Sequence, residues 1–104
     1  MLIVLTTTPN IAEAEELAAK IVAEGLAACV QIFPGLKSVY VWEGNVQNES
    51  EYLLLIKTLP EKYTELEKFI AENHSYAVPE IVAVDAAHVS GPYLSWVKEV
   101  LGDD

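Results

Sequence analysis

The sequence predicts an α+β fold, an antiparallel sheet covered on one face by two helices, with a long β-hairpin and an extra helix near the C-terminus. Three observations predict it. Two β-rich arms, Ala27 to Trp42 and Val46 to Thr58, flank a Gly44-Asn45 reversal that supplies the positive φ of a tight turn. Two stretches with apolar residues at helical spacing lie on either side of that hairpin. The length, 104 residues, fits one domain, 1–104, large enough to bury roughly two thirds of its unfolded surface.

In order along the chain, Leu2 to Thr7 is a short strand-forming run, which Thr8-Pro9-Asn10 ends. Asn10 and Glu13 are spaced as a capping-box-like pair. In the helix they open, Ile11, Ala14, Leu17, Ala18, Ile21 and Val22 form one stripe, and Gly25 stands where a C-cap belongs. The next strand starts near Ala27 and is interrupted at Pro34-Gly35, because the proline lacks a ladder donor and the glycine permits a bulge or a bend. It resumes from Ser38 to Trp42, and the return strand ends at Thr58. Pro60 sits near the first turn of a second helix, and Glu61 suits its dipole. Tyr63, Leu66, Phe69 and Ile70 form the apolar face of that helix to about Asn73. His74 to Pro79 is a connector, and Glu80 to Ala86 is another apolar strand. Ser90-Gly91-Pro92 then starts a last helix with Tyr93, Leu94, Trp96, Val97, Val100 and Leu101 as its hydrophobic set. The order is β-α-β-β-α-β-α. Right-handed crossovers place both main helices on one face, which is the split β-α-β, ferredoxin-like arrangement.

The hairpin is too long for its parent. Val46 to Thr58 as one strand spans roughly 40 Å, whereas a compact chain of this length forms a sphere about 33 Å across. One end must overhang. Val39, Tyr40, Val41 and Trp42 there form an apolar patch beside an open strand edge, which soluble proteins cover with a partner. An obligate homo-oligomer is expected.

Six Lys plus Arg against 16 Asp plus Glu give a formal charge of −10, which repels nucleic acid and anionic membranes and excludes both as partners. The acidic surplus attracts divalent cations weakly, although such a surface usually serves as a solvated coat. Cys29 has no internal disulfide partner and reads as a small core hydrophobe. With Met1 to Leu5 too short for a secretory segment, the cytoplasm is the expected compartment, where the sequons at Asn48 and Asn73 carry no weight. No Gly-rich phosphate loop, nucleophile elbow, zinc spacing or His-Glu-x-x-His helix occurs, so familiar enzyme chemistry has no home.

Among single residues, His74 leads a polar connector that brings Tyr76 and Glu80, while Lys57 closes a leucine-rich strand. Gathered together, these four could transfer protons or bind an anion or metal; the favoured alternative is a hydrogen-bonded interface network that fixes subunit register. Tyr40 and Trp42 suit an interface core better than a stacking platform. His88 is expected in solvent, and Tyr93 and Trp96 fit helical core spacing.

Ala27-Ala-Cys-Val with Pro34-Gly35, Ser38-Val-Tyr-Val-Trp-Glu-Gly44, Glu51, Ile56-Lys-Thr58, His74-Ser-Tyr-Ala-Val-Pro-Glu-Ile81 and Tyr93-Leu-Ser-Trp96 together resemble the CutA1 divalent-cation tolerance family, essentially end to end. The resemblance implies a ferredoxin-like subunit in a tight trimer joined through the hairpin strands, and a link to tolerance of copper and other divalent ions. The ligand positions proposed for the family fall here on Thr6, Asn73 and His74, of which only the imidazole is a good copper ligand. Ser75 stands where the family usually has proline. Tyr40, Trp42, Glu51, Lys57, Tyr76, Glu80 and Trp96 are the expected interface or pocket residues. The resulting expectation is a non-enzymatic cytoplasmic homotrimer that binds copper or another divalent cation weakly and requires no cofactor. A second reading is a trimeric sensor or scaffold resembling the PII signalling proteins, with small-molecule clefts between subunits. An acid–base enzyme using Lys57, His74, Tyr76 and Glu80 is the third.

Overall fold

The computed structural model describes residues 1–102. Its elements are β1 (Leu2–Thr8), α1 (Ile11–Ala23), β2 (Cys29–Trp42), β3 (Asn45–Thr58), a 3-10 turn at Pro60–Lys62 that runs into α2 (Tyr63–Asn73), β4 (Val82–Asp85) and α3 (Gly91–Val100). The sheet order is β2-β3-β1-β4 with all neighbours antiparallel. A third strand therefore lies inside each β-α-β unit, and the expected ferredoxin-like arrangement is the one found.

Side-chain alternation assigns the faces of the sheet. Leu54, Ile56 and Thr58 of β3 are buried with Val4 of β1, whereas Leu53, Leu55 and Lys57 between them are partly exposed. The buried row packs under Ala14, Leu17 and Ile21 of α1 and under Leu66 and Ile70 of α2. Helix α3 closes a smaller cluster, with Val97 and Leu101 against Ala28 and Leu59.

The opposite sheet face is bare. Register places Phe33, Leu53, Leu55, Ile3, Leu5, Val82 and Val84 on it, and Phe33, Val82 and Val84 are 51%, 47% and 44% exposed. The predicted overhang is present as well, since the chain measures 47 × 25 × 22 Å. At the hairpin end Val39, Val41 and Val46 stand in solvent.

Four expectations need correction. The α1 stripe is narrower than its pattern, because Ile11 and Val22 flank the groove and remain exposed. Trp96 and Val100 of α3 also lie outside the core, which takes only Val97 and Leu101 from that helix's C-terminal half. Cys29 is half-buried, because it starts an edge strand and shares the bare face with its partner Lys57. The hairpin reverses at Glu43 (φ 50) and Gly44 (φ 80), with Trp42 opposite Asn45; two successive positive φ values match the twist of the strands.

Candidate functional site

One irregularity in β2 decides which side chains meet. Phe33 faces Leu53 and Leu36 faces Glu51, so Pro34 and Gly35 (φ 75) together oppose the single residue Tyr52. Of the bulge or bend expected at the Pro-Gly pair, a bulge is what forms. An extra residue reverses the alternation beyond it, which puts Ser38, Tyr40 and Trp42 on the face that carries Glu51. Without it Val39 and Val41 would be there. A cleft of about 630 Å³ lies on that face, walled by Tyr40, Trp42, Glu51, Tyr76 and Glu80 among others.

The 74–79 connector forms the other wall and is held at several points. His74 caps α2 with extended backbone (φ −101, ψ 144), turning the chain off the helix toward β1. Its ring is fully buried, with Nε2 2.6 Å from the Thr7 carbonyl and Nδ1 3.0 Å from the Tyr76 amide. A carbonyl only accepts and an amide only donates, so the ring is neutral with its proton on Nε2. Ser75 donates from its amide (3.0 Å) and its hydroxyl (2.9 Å) to the Glu13 carboxylate. Of the anticipated capping box only one half forms: Asn10 Oδ1 accepts from the Glu13 amide at 2.8 Å, while the Glu13 carboxylate serves the connector.

These contacts seat Tyr76. Its ring packs on His74, centroids 4.8 Å apart, and its hydroxyl donates to Glu51 Oε2 at 2.7 Å. Glu51 is 6% exposed. Burial, the hydrogen bond to Glu51 and the negative charge of Glu51 raise the Tyr76 phenol well above its ordinary value of 10.0. Burial and the charges of Glu49 and Glu51 raise Tyr40 as well.

Lys57 and Trp96 belong to another place. Lys57 pairs with Ile3 and Cys29, six residues from Glu51 along β3, or about 20 Å. Its ammonium lies 5.7 Å from the centre of the Tyr93 ring, which in turn contacts Trp96. The structure therefore brings His74 and Tyr76 together and sets Glu80 on the same cleft, but Lys57 does not join them. The four-residue acid–base cluster does not form.

Thr6, Asn73 and His74 fit a metal ion poorly. Thr6 faces the core opposite Leu54, fully buried, and its Oγ1 has no hydrogen-bond partner. The Asn73 amide donates to the Phe69 carbonyl at 2.8 Å, and both His74 nitrogens are engaged, so a metal would have to displace a backbone hydrogen bond. Among the described residues, no three His, Cys, Asp or Glu side chains gather to hold an ion.

Comparison with known proteins gives a consistent result. The family model described as CutA1 divalent ion tolerance protein matches residues 2–100. The divalent-cation tolerance protein CutA of Thermus thermophilus is 43% identical over 100 residues, covering 96% of this chain and 97% of that protein. A solved structure of the Thermus protein aligns with a TM-score of 0.91 over 95% of this chain and 97% of the other. The chloroplastic CutA protein of Arabidopsis thaliana is 46% identical over 97 residues, which are 93% of this chain; the chain spans 53% of that relative's length. The structure described as the periplasmic divalent cation tolerance protein CutA from Archaeoglobus fulgidus is 34% identical, with a TM-score of 0.93 over 97% of this chain and 99% of that one.

Proposed function

The chain belongs to the CutA1 divalent ion tolerance family, and from that premise we propose that it works as a homotrimer in divalent-cation tolerance, copper among the ions, without catalysing a reaction. The observation that carries the assembly is the bare sheet face beside an overhanging hairpin. Both are apolar, and a single chain covers neither. Because the protruding ribbon and the bare face are different surfaces, their contact is head-to-tail, which makes a ring where the rotation closes; three copies is the number that the family resemblance supports. Light scattering should report about three times the 11.4 kDa chain mass. A stable monomer overturns the proposal.

Cation binding in this reading is weak and spread over the acidic surface, drawn by the charge of −10. The engaged His74 ring argues against a tight site at the Thr6, Asn73 and His74 positions. Calorimetric titration with copper should give a shallow isotherm that His74→Ala leaves in place; a steep stoichiometric one abolished by that change contradicts it. The half-buried, lone Cys29 suits a reducing compartment, and we place the protein in the cytoplasm. Fractionation that finds it elsewhere would reverse that assignment.

The cleft favours a second reading, a trimeric small-molecule sensor or scaffold. A saturable rise in melting temperature with a metabolite supports it, because a ligand that binds only the native state stabilises that state.

A further inference from the structure

The walls of the cleft carry chemistry that a divalent ion does not need. Three aromatic rings, those of Tyr40, Trp42 and Tyr76, stand with the carboxylates of Glu51 and Glu80, and among the described residues no lysine, arginine or histidine lines it. Glu51 is nearly buried, and its hydrogen-bond partner is the neutral Tyr76 hydroxyl; the Lys20–Glu16 ion pair, the one salt bridge between charged side chains among the described residues, does not involve it. A carboxylate taken out of water without a counter-charge is costly, and a cation that enters beside it recovers that loss. Anionic ligands are repelled.

The kind of cation follows from the rings. Hard divalent ions require several oxygen ligands, and although Glu51 and Glu80 supply carboxylate oxygens here, no three His, Cys, Asp or Glu side chains gather among the described residues to complete such a site. An organic ammonium group has diffuse charge and an apolar rim; it gains from carboxylates and from ring faces together. The cleft volume of about 630 Å³ lies in the range of small-molecule sites. Tyr76 is also pre-set, by the His74 contacts on one side and the Glu51 hydrogen bond on the other, so little ordering remains for the ligand to impose.

We propose that this cleft binds a small organic cation, with its ammonium group on Glu51 and Glu80 and its carbon atoms against Tyr40, Trp42 and Tyr76. This extends the sensor reading of the same cleft by naming a ligand class, and it does not depend on any metal site. The positions of Tyr40 and Trp42 in it trace back to the bulge at Pro34 and Gly35.

The test uses the full chain in its native assembly with Trp96→Phe in the background, so that fluorescence reports Trp42 alone. Butylammonium, spermidine and tetramethylammonium are titrated separately, with tert-butyl alcohol as the neutral control and zinc as the inorganic one. Saturable changes are expected with the ammonium compounds and with neither control. The primary amines win if the carboxylates dominate, and tetramethylammonium wins if the rings do. Glu51→Gln should raise Kd about tenfold with the assembly mass unchanged. No saturation with any ammonium compound, an equal response to the alcohol or to zinc, or an unchanged Kd in a correctly assembled Glu51→Gln overturns the proposal. Should Glu51→Gln fail to assemble, Glu80→Gln and Trp42→Leu decide by calorimetry: full ammonium affinity in both rejects it. A negative result leaves the trimer mass and the copper isotherm standing, so failure here is distinct from failure of the tolerance reading. It also separates from the general sensor reading, which a saturable rise in melting temperature with another metabolite class still supports.

Discussion

At the scale of single residues, hydrogen-bond direction explains more than residue type. His74 bridges the Thr7 carbonyl and the Tyr76 amide, and Tyr76 then rests its proton on Glu51. The raised Tyr76 pKa has a definite consequence. The folded chain keeps a proton that the unfolded chain releases near 10.0, so stability is whole below that pH and declines as pH climbs through it. Tyr76→Phe should reduce the alkaline slope, leaving the smaller share that Tyr40 and Tyr63 contribute, and weaken the neutral-pH fold by about 2 kcal/mol for the lost hydrogen bond to a buried carboxylate, both readable by urea unfolding across the pH range. Thr6 calls for the opposite change. Its buried hydroxyl has no partner, so Thr6→Val should stabilise by about 1 kcal/mol in the same assay; a loss of that size would show that the hydroxyl is satisfied after all. His74, Tyr76 and Glu51 are visible in the sequence as candidates, but their pairing is not, because the partners lie 67 and 25 residues away. Glu13 is hidden more deeply, since its spacing from Asn10 already has a local explanation.

Among the elements, the hairpin is the most legible and also the place where a one-residue shift matters. Gly44 fits the reversal whether its partner is Glu43 or Asn45, so composition locates the turn without fixing the pair. Strand register fixes it at Glu43-Gly44. Glu43 then holds φ 50, which L-residues other than Asn and Asp rarely adopt. Glu43→Asn should raise stability by about 0.5 to 1 kcal/mol in a thermal or denaturant melt; a neutral result would mean that the strain is relieved elsewhere. The bulge teaches a similar lesson. Pro34-Gly35 announces it, but only the pairing of Leu36 with Glu51 shows that Tyr40 and Trp42 are turned toward the cleft.

For the molecule as a whole, arithmetic on strand length predicted the elongated shape, and the 47 Å long axis agrees. Burial was harder to read. Trp96, Val100, Val82 and Val84 have the apolar signature of core residues, yet all are exposed in the single chain. A side chain meant for an internal core and one meant for another copy look alike in sequence, because water is removed from both. Val41 puts this to the test, because it stands in solvent on the side of the hairpin away from the cleft. Val41→Asp places a charge on the apolar hairpin end and should lower both assembly mass and melting temperature, whereas an unchanged light-scattering mass would remove that surface from the contact.

The bare sheet face carries one more consequence. If neighbours supply the missing half of the core, the stability of this protein is a property of the solution as much as of the chain, and mass action enters its melting curve. Dilution should lower the transition midpoint, and a tenfold-concentrated sample should melt later than a dilute one.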